Sequence, residues 1–237
     1  MIFSRARRSV WGRSYGQLPI KSDYRVHDAA FEIIKHVAGS TRSLKVLDIA
    51  TGTGAFAQRL ADNFPAWDLQ INDFERQALI VNSRRHCIDL NGDFSQSFDE
   101  DGYDLIVALE IIEHLENAWH FLRQIRKLVR KDGYLLLSTP NGDSTLDRLT
   151  YLFEGHPFYF GERGYTNSAG HITHVPDWLL KKIAASSGYS RIELSGAVDT
   201  SPLIGLGTVL KLWLTIPFAR FYMRNRNDRS INIYLCK

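Results

Sequence analysis

The chain alternates between short, almost wholly apolar runs and longer segments in which apolar residues recur every three or four positions. The runs at 44–49 and 103–109 are typical of strands in a parallel sheet that is covered on both faces. The helical periodicity between such runs indicates amphipathic helices. In chain order the pattern predicts helix 26–37, strand 44–49, helix 54–63, strand 68–73, a helix ending near Arg84, strand 86–90, strand 103–109, helix 114–130, strand 134–138, helix 177–186, strand 190–194 and strand 231–236.

Strand and helix alternate at least five times along the chain. This alternation predicts an α/β fold: a Rossmann-like, doubly wound and mostly parallel sheet of seven strands with helices on both faces. With 237 residues and neither an internal repeat nor a low-complexity linker, we expect one domain. That domain occupies 26–237, follows a basic arm at 1–25, and carries an irregular aromatic lid at 142–175 and an apolar insertion at 197–225.

Composition is that of an ordinary globular protein, with 44% hydrophobic and 23% charged residues. The formal charge of +3 is modest, and its arginines cluster near both termini, where they could contact phosphate or simply be solvated. Cys87 and Cys236 lie in apolar segments without metal-binding spacing, which predicts small buried side chains in a reducing compartment. The N-terminus has no apolar signal region, and no uncharged run reaches about 20 residues, so we expect a cytoplasmic protein.

A glycine-rich turn joins the strand at 44–49 to the following helix, and Asp48 stands near the end of that strand. Gly52 and Gly54 remove Cβ atoms where the chain turns sharply, which lets a ligand approach the backbone and the helix N-terminus. A nicotinamide-dependent oxidoreductase would need a third glycine, and Ala55-Phe56 follows instead. The turn therefore predicts a polar ligand of another kind.

Two further carboxylates follow predicted strands on the same sheet edge. Asp73 ends the second strand, where a carboxylate can reach a pair of ribose hydroxyls, and Asp89 ends the third, where it can reach a base. The alternative for each is an aspartate that merely begins a turn.

Together these motifs resemble the class I S-adenosylmethionine-dependent methyltransferases. The residues that carry the resemblance are 46–54, Asp73, Asp89, 103–115 and 128–141. The resemblance implies S-adenosylmethionine as cofactor, with its methionine end on Asp48 and on the backbone of the glycine turn. It also implies that Asp73 holds the ribose, that Asp89 holds the adenine, and that the backbone at Leu109 and Glu110 lines the sulfonium. Ala50 belongs to this set, although its place is often taken by glycine.

Glu110, Glu113 and His114 would share one face if their segment were helical, because their spacing is i, i+3 and i+4. The segment resembles the Glu-x-x-Glu-His motif of ubiquinone-pathway O-methyltransferases and of small-RNA 2′-O-methyltransferases, in which it is associated with a divalent metal. The resemblance implies Mg²⁺ or Mn²⁺ on these three residues, with His171 or His174 as a further ligand. Without a metal, Glu113 or His114 would act as general base or cap a helix, and His171 would join them as a catalytic residue.

The resemblance implies O-methylation of a small aromatic, isoprenoid or glycan- or lipid-linked acceptor. The alternatives are a non-catalytic protein that binds the cofactor, and an RNA 2′-O-methyltransferase, although we do not expect a nucleic-acid partner. The insertion at 197–225 has a wide apolar face, which could cover the active site, pair two subunits, pack on its own domain, or contact the inner face of a membrane peripherally. The sequence does not predict the oligomeric state.

Overall fold

The computed structural model describes residues 13–39, 43–74, 83–167, 170–198 and 229–237, and the account below concerns these residues. In chain order the elements are β1 (Ser14–Tyr15), β2 (Leu18–Pro19), α1 (Tyr24–Ala38), β3 (Lys45–Ile49), α2 (Ala55–Asn63), β4 (Asp68–Asn72), β5 (Arg84–His86), β6 (Tyr103–Leu109), α3 (Ala118–Leu128), β7 (Val129–Pro140), α4 (Thr145–Glu154), α5 (Gly161–Asn167), α6 (Asp177–Ser186), β8 (Ile192–Val198) and β9 (Ile231–Cys236). Single 3₁₀ turns occur at Ser95–Ser97 and at Ile112–His114.

Seven strands form one mixed sheet in the order β5-β4-β3-β6-β7-β9-β8. The pairs from β5 to β7 are parallel, whereas β9 runs antiparallel to both β7 and β8. This arrangement confirms the predicted Rossmann-like fold. The direction of chain progression reverses between β3 and β6, so the carboxyl ends of these strands border the crevice in which such folds bind ligands.

Apolar clusters cover both faces of the sheet. Along β6, Leu105 and Val107 pack into one cluster with α1 and α2, while Ile106 and Ala108 pack into the other with α3 and α6. Because both faces are buried, the strand has no polar alternation and was recognisable as a continuous apolar run. Among the described residues, no helix is both long and apolar enough to span a membrane.

Several predicted boundaries are wrong. β5 begins at Arg84, two residues before the predicted strand. A helix was expected to end near this residue, and the rest of that helix, at 75–82, lies outside the described residues. The helix predicted from 114 begins at Ala118, because the Asn117 side chain accepts a hydrogen bond from the His120 amide and caps it there. The strand predicted at 134–138 is longer at both ends, because β7 runs from Val129 to Pro140. It includes Gly133, where a Cβ would come 2.8 Å from the Tyr103 carbonyl oxygen.

Other predicted segments also differ from the structure. The described part of the N-terminal arm is folded, because β1 and β2 form an antiparallel hairpin and Asp23 caps α1. The lid at 142–175 is not irregular, since it contains α4 and α5. Cys236 is buried as predicted, but Cys87 is exposed. The insertion at 197–225 lies almost entirely outside the described residues, so its packing stays a prediction.

We expect Ala50→Gly to raise the free energy of unfolding by about 0.5–1 kcal/mol. Ala50 adopts φ +58° in the turn after β3, a left-handed conformation that costs an L-residue about 1–2 kcal/mol. The greater entropy of glycine in the unfolded chain offsets part of this gain. Urea denaturation measures the change, with Ala61→Gly inside α2 as a control that should lose about 1 kcal/mol. A destabilised Ala50→Gly variant would contradict the argument from strain.

Candidate active site

The glycine turn connects β3 to α2 at the centre of the sheet's carboxyl edge. Gly52 and Gly54 both have left-handed φ angles, +59° and +81°, which explains their residue type. The amide of Gly52 donates a hydrogen bond of 2.6 Å to the Asp73 carboxylate. The amide of Thr51 donates to the Asn72 carbonyl at 3.0 Å. Two neighbouring strands thus bring a carboxylate and the amides of the turn together, as the sequence predicts.

Asp48 is a buried carboxyl beneath this turn. Its Oδ2 accepts a hydrogen bond of 2.6 Å from the Thr51 hydroxyl. Burial, together with the nearby Asp73, raises the pKa of Asp48 to about 7, and the bond from Thr51 opposes this rise. A positively charged ligand group at this position would favour the ionised form of Asp48.

Asp89 is less closely built into the site than the sequence predicts. It lies three residues beyond the end of β5 rather than in a strand, is exposed, and accepts a hydrogen bond from the Asn91 amide at 3.0 Å. Sequence reasoning did not single out Phe74, whose ring is 72% exposed immediately after Asp73. Its position next to a strand-end carboxylate was the available signal. The thiol of Cys87 donates to the Phe74 carbonyl and ties the two loops together.

Glu110 stands at the end of β6, just after the half-buried Leu109, and adopts φ +51°. Its amide donates to Ser138 in β7, and its carboxylate accepts a bond of 2.7 Å from the Ser138 hydroxyl. Burial first, and then the charge of Asp23, raise the pKa of Glu110 to about 7, against the bond from Ser138. The segment is not helical from residue 110, because the left-handed conformation of Glu110 precludes a helix there and only a 3₁₀ turn follows, at Ile112–His114.

Glu113 is fully buried in that 3₁₀ turn. Its Oε2 accepts a hydrogen bond of 3.0 Å from the Thr139 hydroxyl, while its Oε1 is buried and has no hydrogen-bond partner within the described part of the chain. Burial and the neighbouring Glu110 hold the pKa of Glu113 well above its usual range. The Glu113 carbonyl accepts from the amides of Ile172 and Thr173, each at 2.9 Å, and this anchors the lid.

Two histidines complete a cluster with Glu113. The rings of His114 and His171 are 4.7 Å apart, and one potential ligand atom from each of Glu113, His114 and His171 lies within 4.8 Å of the others. Nδ1 of His114 lies 3.3 Å from the Gly170 carbonyl and Nδ1 of His171 lies 3.0 Å from the Tyr159 carbonyl. A carbonyl only accepts, so Nδ1 carries the proton in both rings and Nε2 is the nitrogen left with a lone pair.

Of the two lid histidines that the sequence offers, the structure brings His171 close to Glu113 and His114. Burial, assisted by His114, lowers the pKa of His171 to about 4, so this ring is neutral and can ligate. His174 lies outside the cluster: it packs on Phe160 and directly over Gly142, where a Cβ would collide with its ring. Glu110 also lies outside it, since its carboxylate is held by Ser138. The cluster therefore contains one carboxylate and two imidazoles, in place of the predicted two carboxylates.

Among the aromatic residues of the lid, Phe160 lies beside the cluster. Phe160 is buried, and its ring centre lies 5.6 Å from that of His171. Phe158 is held by its amide, which donates to the buried Asp147 at 2.9 Å. Phe153 and Tyr165 are exposed.

Comparisons with known proteins identify the region that carries this site. A family profile described as a methyltransferase domain matches residues 23–193, more than two thirds of the chain. The chain is 32% identical to tenellin synthetase of Beauveria bassiana over 135 residues, which are 52% of this chain and 3% of that protein. It is 24% identical to a ubiquinone biosynthesis O-methyltransferase of Rickettsia conorii over 143 residues, which are 59% of this chain and 46% of that protein.

A solved structure agrees on the fold. A SAM dependent methyltransferase from Archaeoglobus fulgidus superimposes with a TM-score of 0.57 at 13% identity, covering 88% of this chain and 92% of that one. At this identity the likeness concerns the fold. The chain spans a small part of the synthetase and less than half of the ubiquinone enzyme.

Proposed function

The chain belongs to the class I S-adenosylmethionine-dependent methyltransferase domains, and from this premise we propose that it transfers a methyl group to an oxygen atom of a small acceptor. The observation that carries the proposal is the cluster of the buried Glu113 with the half-buried His114 and His171 at the carboxyl edge of the sheet. An acceptor hydroxyl must lose its proton when it is methylated, and this cluster offers a carboxylate and imidazoles for that purpose.

The cofactor half of the proposal rests on the glycine turn and the carboxylates around it. When bound, S-adenosylmethionine would supply an activated methyl group to the acceptor oxygen. The protein contributes position: Asp48 and the turn would hold the amino-acid end, Asp73 the ribose, and Phe74 the adenine face. Correct placement of two reactants can lower a barrier by up to about 7–11 kcal/mol. Asp89 stays in the proposed set as a residue at the rim.

Asp73→Ala should weaken binding of S-adenosylhomocysteine by about 10- to 100-fold. The carboxylate would accept hydrogen bonds from both ribose hydroxyls, and such charge-assisted bonds contribute about 1.5–3 kcal/mol. Isothermal titration calorimetry measures the affinity. Asp68→Ala is a matched control, because Asp68 is exposed at the opposite end of the same strand and should leave affinity unchanged. Unchanged affinity in the Asp73 variant would remove this residue from the site.

The acceptor site fits a divalent cation held by Glu113, His114 and His171. Metal-bound histidines usually donate their second ring nitrogen to a backbone carbonyl or carboxylate, and both histidines here have such a carbonyl. Glu113 contributes a buried oxygen without a partner among the described residues. A bound cation would act as a Lewis acid that lowers the pKa of an acceptor hydroxyl. Mg²⁺ prefers oxygen ligands, whereas imidazoles suit Mn²⁺ better. Of the two ions that the sequence predicts, we therefore propose Mn²⁺.

The acceptor is proposed to be aromatic or otherwise apolar. The neighbouring Phe160 ring and the similarity to ubiquinone biosynthesis O-methyltransferases support an aromatic or isoprenoid class. The expectation that the insertion at 197–225 contacts a membrane surface concerns residues outside the described part, and it stays a proposal.

Incubating a heat-treated cell extract with isotopically labelled S-adenosylmethionine and the protein, followed by mass spectrometry, should reveal a labelled small molecule. Label found only in RNA would favour the 2′-O-methyltransferase alternative. Absence of label in any product would favour the non-catalytic one.

A further inference from the structure

Asp147 is a buried carboxylate in the first turn of α4, outside the cluster. Its Oδ2 accepts a hydrogen bond from the Ser144 hydroxyl, and its own amide donates to that hydroxyl at 3.1 Å. Ser144 therefore caps the helix and fixes the carboxylate at the same time. Because burial disfavours the charge of a carboxylate, a buried aspartate needs hydrogen-bond partners. The partners of Asp147 thus indicate what this residue does.

The second oxygen of Asp147 holds the loop that follows α4. Its Oδ1 accepts a hydrogen bond of 2.9 Å from the amide of Phe158, eleven residues further along the chain. Burial raises the pKa of Asp147 to about 6, and the Ser144 hydroxyl and the amides of Phe158 and Tyr159 oppose this rise. At neutral pH the carboxyl is therefore mostly ionised, and its hydrogen bonds to the loop are charge-assisted.

The loop that Asp147 holds reaches the cluster through two consecutive residues. The Tyr159 carbonyl lies 3.0 Å from Nδ1 of His171, and the ring centre of Phe160 lies 5.6 Å from that of His171. The Phe160 amide donates to the Pro157 carbonyl at 3.0 Å, which closes the loop on itself. The Tyr159 carbonyl keeps the proton of His171 on Nδ1 and leaves the lone pair on Nε2. Contacts that orient His171 thus come from a loop whose backbone is bound by Asp147.

We propose that Asp147 is a positioning residue, which fixes the loop at 157–160 so that the Tyr159 carbonyl sets the orientation and the tautomer of His171. The inference rests on the proposed function, because His171 is the residue by which the lid would complete the proposed metal site. Asp147 acts through the backbone of the loop and the His171 ring. Groups that orient a ligand histidine in this way contribute to metal affinity even though they do not bind the metal.

The tautomer of His171 in the metal-free protein tests the role of Asp147. Long-range ¹H–¹⁵N correlation spectra distinguish rings protonated at Nδ1 from rings protonated at Nε2, and the spectrum of His171→Gln identifies the signals of His171. We expect the Nδ1-protonated form in the unaltered protein and in Asp147→Asn, which keeps an oxygen that can accept from Phe158. Asp147→Ala and Asp147→Leu lack this acceptor. In both variants the Nε2-protonated form should become the major one, because the ring is no longer held against the Tyr159 carbonyl.

Binding of Mn²⁺, followed by electron paramagnetic resonance, gives a second readout. The dissociation constant should rise about 10-fold in Asp147→Ala and Asp147→Leu and less than about 2-fold in Asp147→Asn, as for other contacts that orient a ligand histidine. Glu154→Gln should change neither readout, and it is the matched control because Glu154 is exposed at the end of the same helix. Asp147→Leu fills the space of the buried carboxylate, so it provides the test if Asp147→Ala does not fold.

The results separate the role of Asp147 from the proposed metal site. An unchanged His171 tautomer in folded Asp147→Leu would overturn the positioning role, whether or not the protein binds Mn²⁺. An equal change in Asp147→Asn and Asp147→Leu would overturn it as well, because the accepting oxygen would then not be what positions the ring. If the unaltered protein bound no Mn²⁺, the metal site of the proposed function would be contradicted, while the tautomer would still report on Asp147. A changed tautomer and weaker Mn²⁺ binding in Asp147→Leu, both restored in Asp147→Asn, support the assignment.

Discussion

Glu113→Gln should lower kcat for methyl transfer by about 10²- to 10⁴-fold while affinity for S-adenosylhomocysteine changes less than about 2-fold. The substitution keeps the side chain's shape and its bond from Thr139, but removes the carboxylate oxygen that has no partner within the described residues. A positioned base or its metal contributes to the rate on this scale. The measurement is label transfer from S-adenosylmethionine to the acceptor pool of a cell extract, under conditions in which cofactor saturates.

Glu116→Gln is the matched control for this variant. Glu116 lies three residues further along the chain and is exposed, and it should keep full activity. Because burial disfavours the charge of Glu113, we also expect Glu113→Gln to be at least as stable as the unaltered protein. A stable Glu113→Gln variant with full turnover would rule out both the base and the metal-ligand role of this residue.

Removing divalent metal with EDTA should lower turnover by at least about 100-fold, and Mn²⁺ should restore it more completely than Mg²⁺. The reason is the donor set, which combines one carboxylate with two imidazoles whose Nδ1 protons are directed to backbone carbonyls. Electron paramagnetic resonance provides a readout independent of activity, because it detects Mn²⁺ that is bound to protein.

His171→Ala should weaken the bound Mn²⁺ signal, since it removes one ligand, whereas His120→Ala should leave it unchanged. His120 is a suitable control because its Nε2 lies against the Gly92 carbonyl, outside the cluster. Full turnover in EDTA, with no signal from bound Mn²⁺, would contradict the proposal that the cluster binds a metal ion. In that case a loss of activity in Glu113→Gln would identify a metal-free base instead.

Long apolar strands were the part of the fold that the sequence predicted best. The observed bounds of β6 and β9 coincide with the predicted runs, and β3 differs by one residue. A strand that is buried on both faces of its sheet is a continuous apolar run. Such a run can be recognised without knowing which strands lie next to it. β5 was placed too late because its three residues, Arg84, Arg85 and His86, are polar or only partly buried.

The glycine turn was equally readable from local chemistry. Gly52 and Gly54 need left-handed backbone conformations, and a strand followed by such a turn and a helix implies an anion-binding helix terminus. The order of strands then placed Asp73 beside Gly52, because parallel strands end at the same edge of a sheet. Phe74 was missed, since the signal that it offered was only its place next to Asp73.

The sequence by itself therefore determined the sheet, the glycine turn at its carboxyl edge and the set of candidate groups at 110–114 and 171–174. Only the tertiary structure decided which of those groups meet. Glu110 has a left-handed backbone, and its carboxylate accepts a hydrogen bond from Ser138 in the neighbouring strand. The Glu113 carbonyl accepts hydrogen bonds from the amides of Ile172 and Thr173, which hold the lid beside the 3₁₀ turn. These contacts join residues that are far apart along the chain, and they select His171 over His174. Their geometry depends on the packing of β7 and the lid, which no local pattern encodes.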